Sequence, residues 1–157
     1  YFTDPKYGDD EGPLPQDGMH VYYITPNYES VIRVIDDLEK PNGLIGTPDG
    51  KTLYVTDSQG GKTYKYTIHE DGSLTNKTLF VEVGCDGMTL DKDGNVYLTT
   101  NGKQAVDIFS SDGALLESIE IPQQPSNLCF GGKERNELFI TARKSIYRVE
   151  LNAQGVD

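Results

Sequence analysis

The chain repeats itself, and the length of the repeat limits what it can fold into. Four tails share one pattern: Tyr1-Phe2-Thr3-Asp4, Tyr54-Val55-Thr56-Asp57, Tyr97-Leu98-Thr99-Thr100 and Phe139-Ile140-Thr141-Ala142. Three of them follow matching leads: Pro41-Asn42-Gly43-Leu44, Cys85-Asp86-Gly87-Met88 and Pro125-Ser126-Asn127-Leu128. The tails start at 1, 54, 97 and 139, so the intervals are 53, 43 and 42 residues. A period of about 40–45 residues is that of a four-stranded propeller blade. One such unit cannot bury its apolar faces alone and needs neighbours stacked on it.

Each repeat reads as an antiparallel meander. The second predicts strands over 43–47, 52–56, 63–68 and 79–83, with turns at Pro48-Asp49-Gly50-Lys51 and Glu70-Asp71-Gly72-Ser73. Asp-Gly pairs at 49–50, 71–72, 93–94 and 112–113 offer the positive φ that tight hairpins need. Short β-branched and aromatic runs fill the intervals, and no helical period of 3.6 stands out. The expected fold is all-β, of the propeller class. This chain covers about four blades, two complete (41–84 and 85–124) and two partial (1–40 and 125–157). Three strands in each partial blade predict 14 in all. An open arc exposes strand edges and unpaired blade faces. Further blades are therefore expected from upstream sequence, from another chain or by self-association.

Charge narrows the partners. The 157 residues carry 25 acids against 14 bases, a net charge of −11. Bulk charge of that sign does not track a phosphate backbone, so nucleic acid is excluded as a partner on this ground. It suits a hard cation such as calcium. No apolar run approaches the roughly 20 residues of a membrane helix, so no membrane partner is expected. No signal peptide is visible, and Tyr1-Phe2-Thr3-Asp4-Pro5 reads as the end of a strand rather than as a chain start. Cys85 and Cys129 flank apolar strand residues and read as small buried thiols, without zinc spacing. Asp9-Asp10-Glu11 reads as a solvated loop. His20 and His69 do not recur at equivalent positions, and no phosphate loop, nucleophile elbow or zinc-protease motif is present.

Blade geometry selects one rim. If the inner strand starts at the top of the central channel, the Asp-Gly hairpin lies at the bottom and the second strand returns to the top. Residues just before the inner strand (Asn42, Asp86, Ser126) then share the rim with those just after the second strand (Asp4, Asp57, Ser58, Asn101, Arg143). Oxygen-bearing side chains converging there suit a calcium-type ion. Asn-Gly and Asp-Gly are also ordinary turn pairs, so spacing alone leaves both readings open.

Several blocks resemble the gluconolactonase and regucalcin (senescence marker protein) family. They are Tyr1-Phe2-Thr3-Asp4-Pro5-Lys6-Tyr7-Gly8; Lys40-Pro41-Asn42-Gly43-Leu44 with 48–58; Cys85-Asp86-Gly87-Met88-Thr89-Leu90-Asp91-Lys92-Asp93-Gly94-Asn95; and Asn127-Leu128-Cys129-Phe130-Gly131-Gly132. Cys85 stands where the family usually has Pro. The blocks run in the family's order over nearly the whole chain. The resemblance implies a six-bladed propeller with one divalent cation in the channel. Calcium comes first, with zinc, magnesium or manganese as alternatives. It places metal ligands on Asn42 and Asp86. The family's remaining ligand, a Glu, and a substrate-contacting Asn or Arg have no match in these residues.

The implied chemistry is hydrolysis of a small-molecule sugar lactone. The metal would polarise the ester carbonyl and Asp86 would assist the proton or position water. Asp57, Ser58, Asp4 and Tyr7 are the candidate substrate contacts, and Asp4 and Tyr7 open a loop through Met19 that would cover the rim. Two alternatives share the fold: an organophosphate hydrolase with a similar Asn and Asp set, and a non-catalytic truncated propeller or assembly module.

Overall fold

Strand alternation explains how one chain builds several cores at once. In the computed structural model, which describes residues 1–8, 12–14 and 16–156, the segment Thr52–Asp57 is buried along almost its whole length. Leu53 and Val55 point into one core with Val21, Ile35, Leu38 and Tyr66. Tyr54, on the opposite face, points into another with Phe80, Cys85, Met88 and Leu98. Successive side chains on a strand face opposite ways, so a strand buried at nearly every position needs a partner sheet on each side.

The described residues form 14 strands in four antiparallel sheets. The first sheet is β1 (Phe2–Thr3), β2 (Val21–Ile24) and β3 (Val31–Ile35). The second is β4 (Pro41–Gly46), β5 (Thr52–Asp57), β6 (Lys62–Ile68) and β7 (Leu74–Val81). The third is β8 (Cys85–Leu90), β9 (Val96–Thr100), β10 (Ala105–Phe109) and β11 (Leu115–Glu120). The fourth is β12 (Pro125–Gly131), β13 (Glu137–Ala142) and β14 (Ser145–Glu150). Neighbours in each sheet are neighbours in sequence, as in a meander. Three cores fill the three gaps between the four sheets. This is a partial β-propeller.

The strand over 79–83 is a point of difference. The outer strand begins at Leu74, directly after the hairpin, and β7 reaches Val81 with two register shifts against β6. Polar residues Thr75, Asn76, Lys77 and Thr78 hid it, because an outer strand faces water and need not look apolar. Cys129 also differs: it is exposed, whereas Cys85 is buried and burial pushes its thiol up to about 12. The glycines of all four Asp-Gly turns take positive φ, between 68° and 93°. The acidic run 9–11 lies outside the described residues.

A buried carboxylate braces the third blade. Asp107 on β10 is 1% exposed. It accepts hydrogen bonds from Ser118 Oγ at 2.6 Å, Thr100 Oγ1 at 2.7 Å and Lys103 Nζ at 2.9 Å. Burial alone raises its pKa, but the three donors outweigh burial and hold it below the ordinary carboxylate value. A depressed native pKa contributes stability that is fully present above the unfolded value, about 3.9. That stability is lost as pH falls through the lower native value. Asp107→Asn is therefore expected to cost about 1.5–3 kcal/mol at pH 7, the range for hydrogen bonds to a charged group. The loss relative to wild type should shrink below about pH 4. Urea unfolding at several pH values checks this; a pH-independent difference counts against it.

Candidate functional site

Three inner strands carry the same irregularity at the same repeat position. In β4 the register against β5 shifts between Pro41 and Leu44, across Asn42 and Gly43. In β8 the register against β9 shifts between Cys85 and Met88, across Asp86 and Gly87. In β12 it shifts between Pro125 and Asn127, across Ser126. An extra residue on one strand bends it and re-aims its side chains. Here the bulges fall on the residues assigned to the rim.

Glycine lets the bulged strands approach each other. A Cβ on Gly43 would lie 2.7 Å from the backbone oxygen of Asp86. A Cβ on Gly87 would lie 2.5 Å from Asn127 Oδ1 and 2.8 Å from Asn127 Cα. The Asn-Gly and Asp-Gly pairs thus do more than turn the chain: each glycine admits the next blade's inner strand.

The approach brings two sequence-predicted side chains together. Asn42 Nδ2 donates to Asp86 Oδ1, and also to the hydroxyl of Tyr7 at 2.5 Å. Asn42 is half-buried and Asp86 exposed. Burial and then the charge of Asp86 raise the Tyr7 phenol above its ordinary value, with a hydrogen bond to Ser58 acting the other way. Tyr7 follows β1, and its hydroxyl reaches Asn42.

The other candidates are placed differently. Asp4 is exposed and its carboxylate accepts from Gln16 Nε2 at 2.7 Å. Asp57 is 5% exposed. Its oxygens accept three backbone amides: Glu39 and Lys40, each at 2.9 Å, and Gly60 at 3.0 Å. Those three bonds turn the carboxylate inward, where a substrate contact was expected of it. Ser58 donates to the Lys40 carbonyl from its amide at 2.9 Å and from Oγ at 3.1 Å. Arg143 pairs with Gln124 at 3.0 Å. Ser126 Oγ stays with Thr141.

Two features were not anticipated. The third residue of every tail is a threonine, and its hydroxyl binds inner-strand backbone. Thr3 Oγ1 donates to Asn42 O at 2.8 Å, and Thr56 Oγ1 accepts from Cys85 N at 3.0 Å, each across a blade boundary. Thr99 Oγ1 accepts from Gly87 N at 2.8 Å, and Thr141 Oγ1 donates to Asn127 O at 3.3 Å. The recurrence at 3, 56, 99 and 141 was the available signal. The second feature is Lys40, whose ammonium lies 4.0 Å from the centre of the Tyr7 ring.

The donor chemistry of Asn42 and Asp86 suits a hard cation: one amide oxygen and one carboxylate on adjacent strands. Calcium takes six to eight oxygens, so two such groups could supply only part of a shell. Among the described residues no group of three or more His, Cys, Asp or Glu side chains is placed to hold a metal.

Residues 1–144 match the SMP-30/Gluconolactonase/LRE-like region. The chain belongs to this family. The SMP-30/gluconolactonase assignment agrees with individual relatives. A gluconolactonase of Zymomonas mobilis is 34% identical across 99% of the chain, and the lactonohydrolase oryH of Aspergillus oryzae is 31% identical across 90%. The aligned parts cover 48% and 36% of those two proteins, so the chain spans half or less of their length. A solved gluconolactonase from Xanthomonas campestris superposes with a TM-score of 0.82 at 30% identity, covering 96% of this chain and 52% of that one. Regucalcin of Agrobacterium tumefaciens, described as a calcium-binding protein, gives 0.78 at 20% identity over 88% of this chain and 54% of that one. That likeness supports the propeller fold of the SMP-30/gluconolactonase family.

Proposed function

We propose that these residues form part of a metal-dependent sugar-lactone hydrolase site, with Asn42 and Asp86 as two ligands of one divalent cation, calcium first among the choices. The observation that carries the reading is the convergence of Asn42 and Asp86 from bulges on adjacent inner strands. Turning the Asn42 carboxamide by half a turn presents its oxygen, instead of its nitrogen, beside the Asp86 carboxylate. A bound cation supplies Lewis acidity to the ester carbonyl and positive charge for the developing oxyanion.

The chain's own residues do the rest. The exposed Asp86 carboxylate accepts a proton from an attacking water or holds that water in place. The Tyr7 hydroxyl, 2.5 Å from Asn42 Nδ2, stands within reach of a substrate hydroxyl at the same rim. Asp4 borders this loop, and its exposed carboxylate can accept from a second hydroxyl. Asp57 and Ser58 act through the 39–42 lead, which they hold by its backbone. Further blades from upstream sequence, another chain or self-association complete the channel and the ligand shell.

The test is hydrolysis of glucono-δ-lactone after chelation, with calcium, zinc, magnesium or manganese added back. The expected result is turnover that disappears on chelation and returns with at least one ion. Absence of lactone turnover with all four ions removes the reading. A fluorophosphate assayed in parallel separates the organophosphate alternative, which shares the Asn and Asp pair.

A further inference from the structure

We propose that Lys40 is a specificity-determining cation of this rim, receiving the carboxylate of a sugar acid. The proposal rests on the lactone-hydrolase reading for its substrate class. In that reaction water adds to the acyl carbon and the bond from that carbon to the ring oxygen breaks. The ring oxygen takes a proton and leaves as a hydroxyl. The new carboxylic acid, with a pKa near that of other α-substituted acids at about 3.5, gives its proton to water at neutral pH. A neutral ester thus becomes an anion at a site where Asp86 is exposed, on a chain of net charge −11. The divalent cation of the proposed site offsets part of this charge, and a second cation beside the rim would hold the acid more firmly than the neutral ester.

Lys40 is built in rather than loose. Its amide donates to Asp57 Oδ1 at 2.9 Å, and its carbonyl accepts from Ser58 N at 2.9 Å and Ser58 Oγ at 3.1 Å. Both backbone polar groups of Lys40 are therefore fixed, two residues before Asn42. The half-buried side chain lays its ammonium on the face of Tyr7, 4.0 Å from the ring centre. Tyr7 is the residue bonded to Asn42, so Lys40, Tyr7, Asn42 and Asp86 form one continuous line across the rim.

Lys77 makes the contrast. It also stacks on a tyrosine, Tyr64 at 4.3 Å, but its ammonium is paired with Asp37 Oδ2 at 2.7 Å. Lys103 is likewise paired, with Asp107 at 2.9 Å. Lys65 lies farther from its ring, 6.0 Å from the centre of Phe80, and its ammonium reaches the Ser111 carbonyl; Lys40 has the closer aromatic platform and, among the described residues, no carboxylate partner. An ammonium has three donors. In a chain with an excess of acids, this ammonium lies on Tyr7 with no carboxylate taking its donors.

The experiment measures gluconate, by calorimetry and as an inhibitor of glucono-δ-lactone hydrolysis, on wild type, Lys40→Met and Lys40→Arg. Lys40→Met should weaken gluconate about tenfold, in the range of one hydrogen bond to a charged group. The ratio of the gluconate inhibition constant to the lactone KM should rise by a similar factor, because only the acid carries the charge. Arginine should restore most of the loss. Wild-type gluconate binding should weaken between about 20 and 200 mM salt, and the methionine variant should show much less of this slope. The proposal is overturned if wild type binds no gluconate, if Lys40→Met binds it equally well, or if gluconate and lactone weaken in step. If wild type hydrolyses no lactone, the underlying reading fails, while gluconate calorimetry still decides the role of Lys40. Thermal melts of each variant show whether it is folded.

Discussion

Replacing Asp86 with alanine is expected to lower calcium affinity at least about 100-fold while leaving the thermal midpoint close to wild type. Even partners one step removed from a metal cost about 10–100-fold when lost, and a charged ligand should cost no less. Asp86 is the charged member of the converging pair. The fold does not lean on its carboxylate: the side chain is exposed, and the contact it makes is with Asn42 Nδ2. Truncation leaves no buried group without a partner, so stability should move by less than about 0.5 kcal/mol. Asp86→Asn, which keeps the shape and one oxygen but loses the charge, should fall between. Calorimetric titration with calcium, set beside a thermal melt, reads both quantities. Wild-type affinity in the alanine variant removes Asp86 from the site. A melt lowered by several degrees makes the bulge a structural device instead.

The repeat made the fold legible because a propeller spends its sequence periodically. The two complete blades each need two tight hairpins, and Asp-Gly pairs mark all four of them. The second strands of the two complete blades are buried on both faces, so the consecutive apolar residues Leu53-Tyr54-Val55 and Val96-Tyr97-Leu98 stand out. The outer strand Leu74–Val81 was harder to place, since a strand exposed along most of its length follows no apolar rule. The rim was legible in part. Asn42 and Asp86 lead their repeats, and the bulges bring them together. What the sequence could not tell is which acids face outward. Asp57 and Asp86 are both aspartates beside strand ends, yet one is 5% exposed and the other open to solvent. Lys40 was hidden for a related reason. A lysine before Pro-Asn-Gly has no periodic signature, and its meaning depends on a tyrosine 33 positions earlier in the chain.

Asp57 carries the opposite expectation from Asp86. Asp57→Ala should destabilise the protein by about 3 kcal/mol and lower the midpoint by roughly 10 °C. Its carboxylate is the shared acceptor for the amides of Glu39, Lys40 and Gly60. Removing it strands three donors at a site that closes tightly around the side chain, since a Cβ on Gly60 would lie 2.5 Å from Asp57 Oδ2. Each stranded donor costs about 1–3 kcal/mol when it cannot reach water. The lower end of that sum applies because loosening of the 39–42 lead would let some of them hydrate. That loosening has its own consequence. The lead carries Lys40 and Asn42, so calcium and gluconate should both bind more weakly, although Asp57 touches neither. Asp57→Asn separates packing from acceptance: it fills the same space, but one of its two oxygens becomes a donor facing an amide. It should recover little of the lost midpoint. A midpoint within two degrees of wild type for either variant would mean that the three amides find other acceptors. The acid would then be free to act at the rim after all.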